Sequence, residues 1–161
     1  MEDIAELRTR AEEHRRSSEK LSNEHQRLMT EHRALVKKAK TYASKASNSL
    51  KMRDECAREA SHSDDKADAW RDRHDDRKDR NALDLSNERN QVHMHAQAAK
   101  GMRVRGKRAE SDHIKFKRMA GECNEKAAYL KKKALSMKKE SNKEHELYVG
   151  FLRSISKLEK E

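Results

Sequence analysis

Histidine and cysteine are the residues of this sequence that could ligate a metal ion or act as nucleophiles, and it contains nine histidines and two cysteines. His93 and His95 alternate in the tripeptide "HMH", and helix positions two apart do not share a face. Cys56 and Cys123 would lie about 30 Å apart in the folded-back chain inferred below. No HExxH spacing, phosphate-cradling glycine loop or nucleophile elbow is present. We therefore predict no catalytic residues, metal ligands, cofactor or small-molecule substrate, and we expect no enzymatic activity.

Lysine and arginine carry the stronger chemical signal, because 39 basic residues against 29 acidic ones give a net charge of +10. Residues 100–139 hold 14 basic and four acidic side chains, and residues 32–53 hold seven basic and no acidic ones. Concentrated like charge costs free energy through repulsion, so these two clusters indicate an anionic partner. Lysine and arginine neutralise phosphates and release counterions, which favours nucleic acid as the partner class.

The elements that must position these cations are predicted to be long helices. The chain contains no proline and is 42% charged, a composition that favours solvent-exposed helix over a thick globular core. Apolar and small residues, with some polar ones between them, recur at alternating three- and four-residue steps from Ile4 to His74 and again from Leu85 to Leu158. Such a series predicts the contact line, or seam, of a coiled coil.

The two series of seam positions are out of phase by one residue, and the slip falls within residues 71–84. We therefore predict an all-α fold, a long antiparallel coiled-coil helical hairpin that forms a single domain over residues 1–161. Helix 1 is predicted at about 3–74, the turn at about 75–82 and helix 2 at about 83–160. The alternative is a single long helix in a parallel dimer, where a local change in supercoil absorbs the slip.

Folding the chain at the predicted turn pairs seam residues whose numbers sum to 158 or 159. This register sets His14 against Glu144 and Arg53 against Gly106. It also brings the two basic clusters side by side. The residues predicted to bind RNA phosphates come from both helices and are Lys37, Lys38, Lys40, Lys45, Lys100, Arg103, Arg105, Lys107, Arg108, Lys115, Lys117, Arg118, Lys131 and Lys132.

Three seam histidines, His14, His25 and His32, are predicted to be structural rather than metal ligands, because polar seam residues commonly fix register. We expect acid to loosen the seam, since a buried imidazolium would lack partners. His14 is the expected exception because it faces Glu144.

The aromatic residues Tyr42 and Phe116 fall on the seam, which leaves no platform for stacking unpaired bases. We therefore expect recognition of structured RNA by its backbone and shape, with little base readout. DNA is the open alternative.

The sequence contains no run of 18 apolar residues, and its first residues, "MEDIAELRTRAEEHRR", lack the apolar core of a signal peptide. We therefore expect no membrane partner. Low cysteine usage in such a chain predicts a reducing, cytoplasmic location.

Two stretches resemble a known family. "RDRHDDRKDRNALDLSNERNQV" is similar to the recurring Lys-Arg-Asp-x-Leu-Asn units of the archaeal coiled-coil proteins, a family distantly similar to the yeast polysome-associated brefeldin-resistance protein. "SNKEHELYVGFLRSISKLEKE" resembles the histidine-containing Phe/Tyr-Val return helix of that family. The resemblance covers about residues 70–161 and implies association with ribosomes or messenger RNA in the cytoplasm.

The leading functional hypothesis is a non-enzymatic, basic coiled-coil protein that binds structured RNA on the ribosome. Its expected partners are ribosomal or other structured RNA and ribosomal proteins. The alternative is a homo-oligomeric scaffold, such as a homodimer, whose partners are other helices. The alanine, serine and histidine residues of the seam favour that alternative, because they leave apolar area for another chain to cover.

Overall fold

Two long helices make up the fold of the computed structural model, which describes residues 3–76 and 82–160, without the side chains of residues 82–84. Helix α1 spans Ile4–Asp75 and helix α2 spans Ala82–Leu158, and the described residues contain no strand. The prediction of an all-α helical hairpin is confirmed. Asp76 lies in a turn conformation directly after α1, within the predicted turn, whereas residues 77–81 of that turn lie outside the described residues.

Helix α1 begins at a capping residue. The Asp3 carboxylate accepts a hydrogen bond from the Ala5 backbone N–H at 3.2 Å, and the Asp3 carbonyl accepts one from the Leu7 N–H at 3.1 Å. These bonds satisfy donors that have no partner inside the helix.

The chain comprises two compact units, each formed by a segment of α1 and a segment of α2. The terminal unit contains Met1–Ala39 and Gly121–Glu161, and the central unit contains Lys40–Ala120. The single domain over 1–161 stays a prediction. In each unit, contacts pair rising residue numbers of α1 with falling numbers of α2, so the two segments are antiparallel.

Serine and histidine side chains join the two helices within the terminal unit. The Ser18 hydroxyl donates to the Ser141 carbonyl at 3.1 Å, and the Ser141 hydroxyl donates to the Ser18 carbonyl at 3.0 Å. His14 donates from Nδ1 to the Glu144 carboxylate at 2.6 Å and stacks on Phe151 with ring centroids 5.4 Å apart. The predicted pairing of His14 with Glu144 is therefore confirmed.

Histidine-to-carbonyl hydrogen bonds recur further along the seam of the terminal unit. His25 Nδ1 lies 2.8 Å from the Ala134 carbonyl oxygen, and His32 Nδ1 lies 2.9 Å from the Ala127 carbonyl oxygen. A carbonyl only accepts, so each imidazole carries its proton on Nδ1. Protonation in acid would add a second N–H donor at Nε2, and the expectation that acid loosens the seam stays a prediction for these two rings.

The central unit repeats the arrangement with the roles of the helices exchanged. Here His113 of α2 donates from Nδ1 to the Ala46 carbonyl of α1 at 2.9 Å. Next to the His113–Ala46 hydrogen bond, the rings of Tyr42 and Phe116 stack with their centroids 6.3 Å apart and their planes at 16° to each other. These pairs sum to 159 and 158, so the register predicted from the sequence holds within this unit.

Alanine dominates the core. Among the residues whose side chains the structure describes, every buried one lies in the predicted series of three- and four-residue steps, whereas the last residue of that series, Leu158, is 39% exposed. Small side chains let the helix backbones approach closely enough for a side chain of one helix to reach a carbonyl of the other. The buried apolar residues are Leu7, Ala11, Leu28, Ala39, Ala46, Cys56, Ala60, Ala67, Ala99, Ala109, Ala120, Cys123, Ala127, Ala134 and Ile155.

Replacing a seam histidine should cost stability through its cross-helix bond. We expect His113→Ala to lower the free energy of unfolding by about 0.5–1.5 kcal/mol, the net value of one hydrogen bond. The matched control is His62→Ala, an exposed helical histidine without a hydrogen bond to any residue in the described ranges. Urea unfolding followed by circular dichroism measures both, and equal effects would contradict a stabilising role for the His113 bond.

An exposed ion-pair cluster on α1 should make the terminal unit sensitive to acid. Glu12 accepts hydrogen bonds from Arg15 at 2.7 and 2.8 Å and from Arg16 at 3.0 Å. These bonds, those from Arg15 first, lower the pKa of Glu12 from 4.5 to about 2.

A folded-state pKa below the unfolded value means that the carboxylate stabilises the fold at higher pH. This contribution should be lost as pH falls from 4.5 towards 2. Glu12→Gln should therefore flatten the decline in unfolding free energy over that range. Glu13→Gln, which removes an adjacent carboxylate without a hydrogen bond to a described residue, is the control. Parallel pH profiles for wild type and Glu12→Gln would show that the cluster contributes nothing.

Candidate nucleic-acid interface

Cations of both helices meet in the central unit. The pairs His113–Ala46 and Tyr42–Phe116 set residues 40–53 alongside residues 105–118. These two segments hold ten basic and two acidic residues, a net charge of +8. The convergence of basic segments predicted from the sequence is therefore present within this unit.

All fourteen residues predicted to bind phosphate are exposed. The central unit brings ten of them together, and the other four, Lys37, Lys38, Lys131 and Lys132, belong to the terminal unit. Seven of the ten make no hydrogen bond or ion pair with the residues that the structure describes, so their charges face solvent. These seven are Lys40, Lys100, Arg105, Lys107, Arg108, Lys115 and Lys117.

Lys45 is held in place by the aromatic pair of the seam. Its Nζ lies 5.6 Å from the centroid of Phe116 and 6.0 Å from the centroid of Tyr42. A cation at this distance from a ring is attracted by the ring quadrupole. The two seam rings therefore orient a lysine at the edge of the basic surface.

Two arginines have part of their charge compensated. Arg103 pairs with Asp64 across the helices. Arg53 pairs with Asp54 at 2.7 Å and with Glu110 at 3.9 Å, and the hydrogen bond to Asp54 is the main reason that the pKa of Arg53 is raised. Ion pairs near a protein surface contribute little net free energy, so a phosphate could replace the carboxylates.

Arg105 and Arg108 lie in a less favourable setting. They line a groove that also contains the carboxylates of Glu55, Glu59 and Asp112. A phosphate in this groove would meet like charge. Lysines outside it therefore form the stronger part of the candidate interface.

Gly106 faces the backbone of α1 at Arg53, as the predicted register requires. A Cβ at Gly106 would lie 3.5 Å from Cys56 Cβ and 3.9 Å from the Arg53 carbonyl oxygen, which are ordinary contacts. The Arg53 guanidinium instead binds Asp54 and Glu110. Nothing lies within 4 Å of a Cβ added at Gly101.

An exposed aromatic residue was missed in the sequence. Tyr129 of the terminal unit is 66% exposed, which overturns the expectation that no ring is available outside the seam. Its position directly before the seam residue Leu130 is the signal that could have revealed it, because such a position points away from α1.

The described residues contain no group of three or more histidine, cysteine or acidic side chains placed to hold a metal ion. Cys56 and Cys123 are both buried and free. Neither helix, over the residues described, has an apolar segment long enough to cross a membrane.

Comparison with known proteins finds no match to a family model, to a curated protein or to a solved structure. The resemblance to the archaeal coiled-coil family therefore stays a prediction.

Alanine at Gly106 tests how closely the helices approach beneath the basic surface. Since an added Cβ makes only ordinary contacts there, Gly106→Ala should raise the free energy of unfolding by about 0.5–1 kcal/mol through helix propensity. Gly106→Leu should lower it by about 1–3 kcal/mol through overpacking. Gly101→Ala, in open space, is the control and should stabilise by a similar amount. A destabilised Gly106→Ala beside a stabilised Gly101→Ala would mean that the backbones lie closer than described.

Proposed function

We propose that this protein is a non-enzymatic helical hairpin that binds structured RNA through phosphate contacts of its central unit. The observation that carries the proposal is the meeting of residues 40–53 with residues 105–118, where basic residues outnumber acidic ones by ten to two. Lys40 and Lys45 come from α1, whereas Lys107, Lys115 and Lys117 come from α2.

Phosphate is favoured as the ligand because most of these lysines have no internal partner among the described residues. Bringing them together raises repulsion in the free protein, and a polyanion would relieve it. Binding would also release the counterions condensed on the nucleic acid.

Backbone and shape recognition fits the chemistry of this surface. The side chains offered are ammonium and guanidinium groups, and the rings of Tyr42 and Phe116 are occupied by each other and by Lys45. Helical RNA is read mainly through its phosphates, its 2′-hydroxyls and its shape. Cytoplasmic, ribosome-associated RNA and ribosomal proteins are the partners that the family resemblance suggests.

A homo-oligomeric scaffold is the second candidate. Large apolar side chains on α2 face solvent, among them Ile114 at 62% exposure and Met94 at 56%. A second helix could cover such residues. Light scattering at high salt separates the candidates, because a stable dimer without RNA affinity would support the scaffold.

Charge reversal tests the RNA proposal. We expect the fourfold variant Lys40→Glu, Lys107→Glu, Lys115→Glu and Lys117→Glu to lose affinity for a double-stranded RNA of about 20 base pairs, with its salt slope reduced by roughly one per contact removed. For wild type with six or more contacts, affinity should fall by about 10³ or more between 50 and 200 mM salt. Fluorescence anisotropy of labelled RNA measures both quantities.

A matched variant separates local contacts from net charge. Reversing Lys20, Lys66, Lys157 and Lys160 changes the net charge by the same amount at exposed positions outside the two segments. This control should retain most of the affinity, and circular dichroism should show both variants folded. Equal losses in the two variants, or full binding by the first, would contradict the proposed interface.

A further inference from the structure

Tyr129 stands apart from the other two tyrosines. The ring of Tyr42 stacks on Phe116, and Tyr148 lies 6.0 Å from the ring of His145. Tyr129 is 66% exposed and has no ring contact or hydrogen bond with any residue that the structure describes. Most of the Tyr129 side chain is therefore accessible from solvent.

A groove of about 370 Å³ opens beside this ring in the terminal unit. Its lining consists of Tyr129, Lys132, Lys133, Ser136 and Met137. The other four lining residues follow Tyr129 by three, four, seven and eight positions, and these steps place side chains on one side of a helix. The groove therefore presents an aromatic ring, two ammonium groups and a thioether together.

Lysines outnumber carboxylates around the groove, which is flanked along the chain by Glu125 and Glu140. Residues 126–139 contain six lysines and no acidic residue. The nearest carboxylate along the chain after the groove, Glu140, accepts a hydrogen bond from the Ser136 hydroxyl at 3.2 Å. An anionic ligand would meet attraction from Lys132 and Lys133 on entering.

We propose that Tyr129 stacks an unpaired base of single-stranded RNA while Lys132 and Lys133 bind the adjacent phosphates. This proposal rests on the proposed RNA-binding function and adds a second ligand class, at a site within the terminal unit. An aromatic face with flanking cations is the combination that binds single strands without sequence preference.

A helical protein partner fits the groove less well. Such a partner would require a continued apolar row along α2, but Asn142 and Lys143 interrupt the outer face one to two turns beyond the groove. The one apolar side chain that the groove offers besides the ring is Met137.

The test measures binding of a fluorescein-labelled, non-self-complementary single-stranded RNA of about 12 nucleotides. Tyr129→Ala should weaken binding roughly 5- to 150-fold, the range for one lost base–aromatic stack. Tyr129→Phe should retain binding within about twofold because it keeps the ring. Tyr129→Leu keeps apolar area without a π face and should lose as much as alanine.

Leu135→Ala is the matched control for lost apolar surface. Leu135 lies on the same helix, is 49% exposed and does not line the groove. Its replacement should leave binding unchanged. Wild-type binding by Tyr129→Ala would overturn the proposal, and wild-type binding by Tyr129→Leu would overturn stacking in favour of an apolar contact typical of a protein partner.

Failure of this site and failure of the central interface give different results. Tyr129→Ala should still bind double-stranded RNA as wild type does. If the wild-type protein binds the duplex but Tyr129→Ala does not weaken binding of the single-stranded RNA, only the proposal for the Tyr129 site is wrong. If the single strand binds through Tyr129 and the duplex does not bind, the stacking site stands and the proposed duplex function is wrong.

Discussion

A hydrogen bond from a seam histidine to an alanine carbonyl on the opposite helix is the interaction on which this fold depends. It occurs at His25, His32 and His113, with donor–acceptor distances of 2.8–2.9 Å. Alanine burial alone removes little apolar area from water, so polar contacts carry a larger share of the specificity. The bond also requires a small residue opposite each imidazole, because a longer side chain would hold the backbones apart.

The same close packing determines where the cations lie. A narrow alanine seam accommodates few large side chains, so lysine and arginine occupy the outer positions of both helices. In the central unit, the hydrogen bond from His113 to the Ala46 carbonyl lies next to the stacked rings of Tyr42 and Phe116, and these rings position Lys45. Packing and the candidate binding surface are thus coupled through neighbouring residues.

The helices and their register could be predicted because they depend on spacing along the chain. The three- and four-residue steps specify which positions of each helix are buried. The phase slip between the two series specifies where the chain passes from α1 to α2. Side-chain direction could not be predicted in this way. The register set Arg53 opposite Gly106, yet its guanidinium binds Asp54 and Glu110, since carboxylates within reach attract it more than a glycine backbone does. The carbonyl acceptors of the histidines could not be predicted for a related reason. Every residue has a backbone carbonyl, so the order of residue types does not show which carbonyl accepts a hydrogen bond.

The placement of aromatic rings distinguishes the two kinds of RNA contact proposed. In the central unit, Tyr42 and Phe116 lie against each other in the seam and serve to position a lysine, which leaves the surface suited to phosphates and helical shape. In the terminal unit, Tyr129 projects from α2 among lysines, where its ring can meet an unpaired base. A base within a duplex is already stacked on its neighbours, so the ring gains nothing from it. The exposure of Tyr129 and the stacking of Tyr42 within the seam are therefore the reason that different RNA ligands are proposed for the two sites.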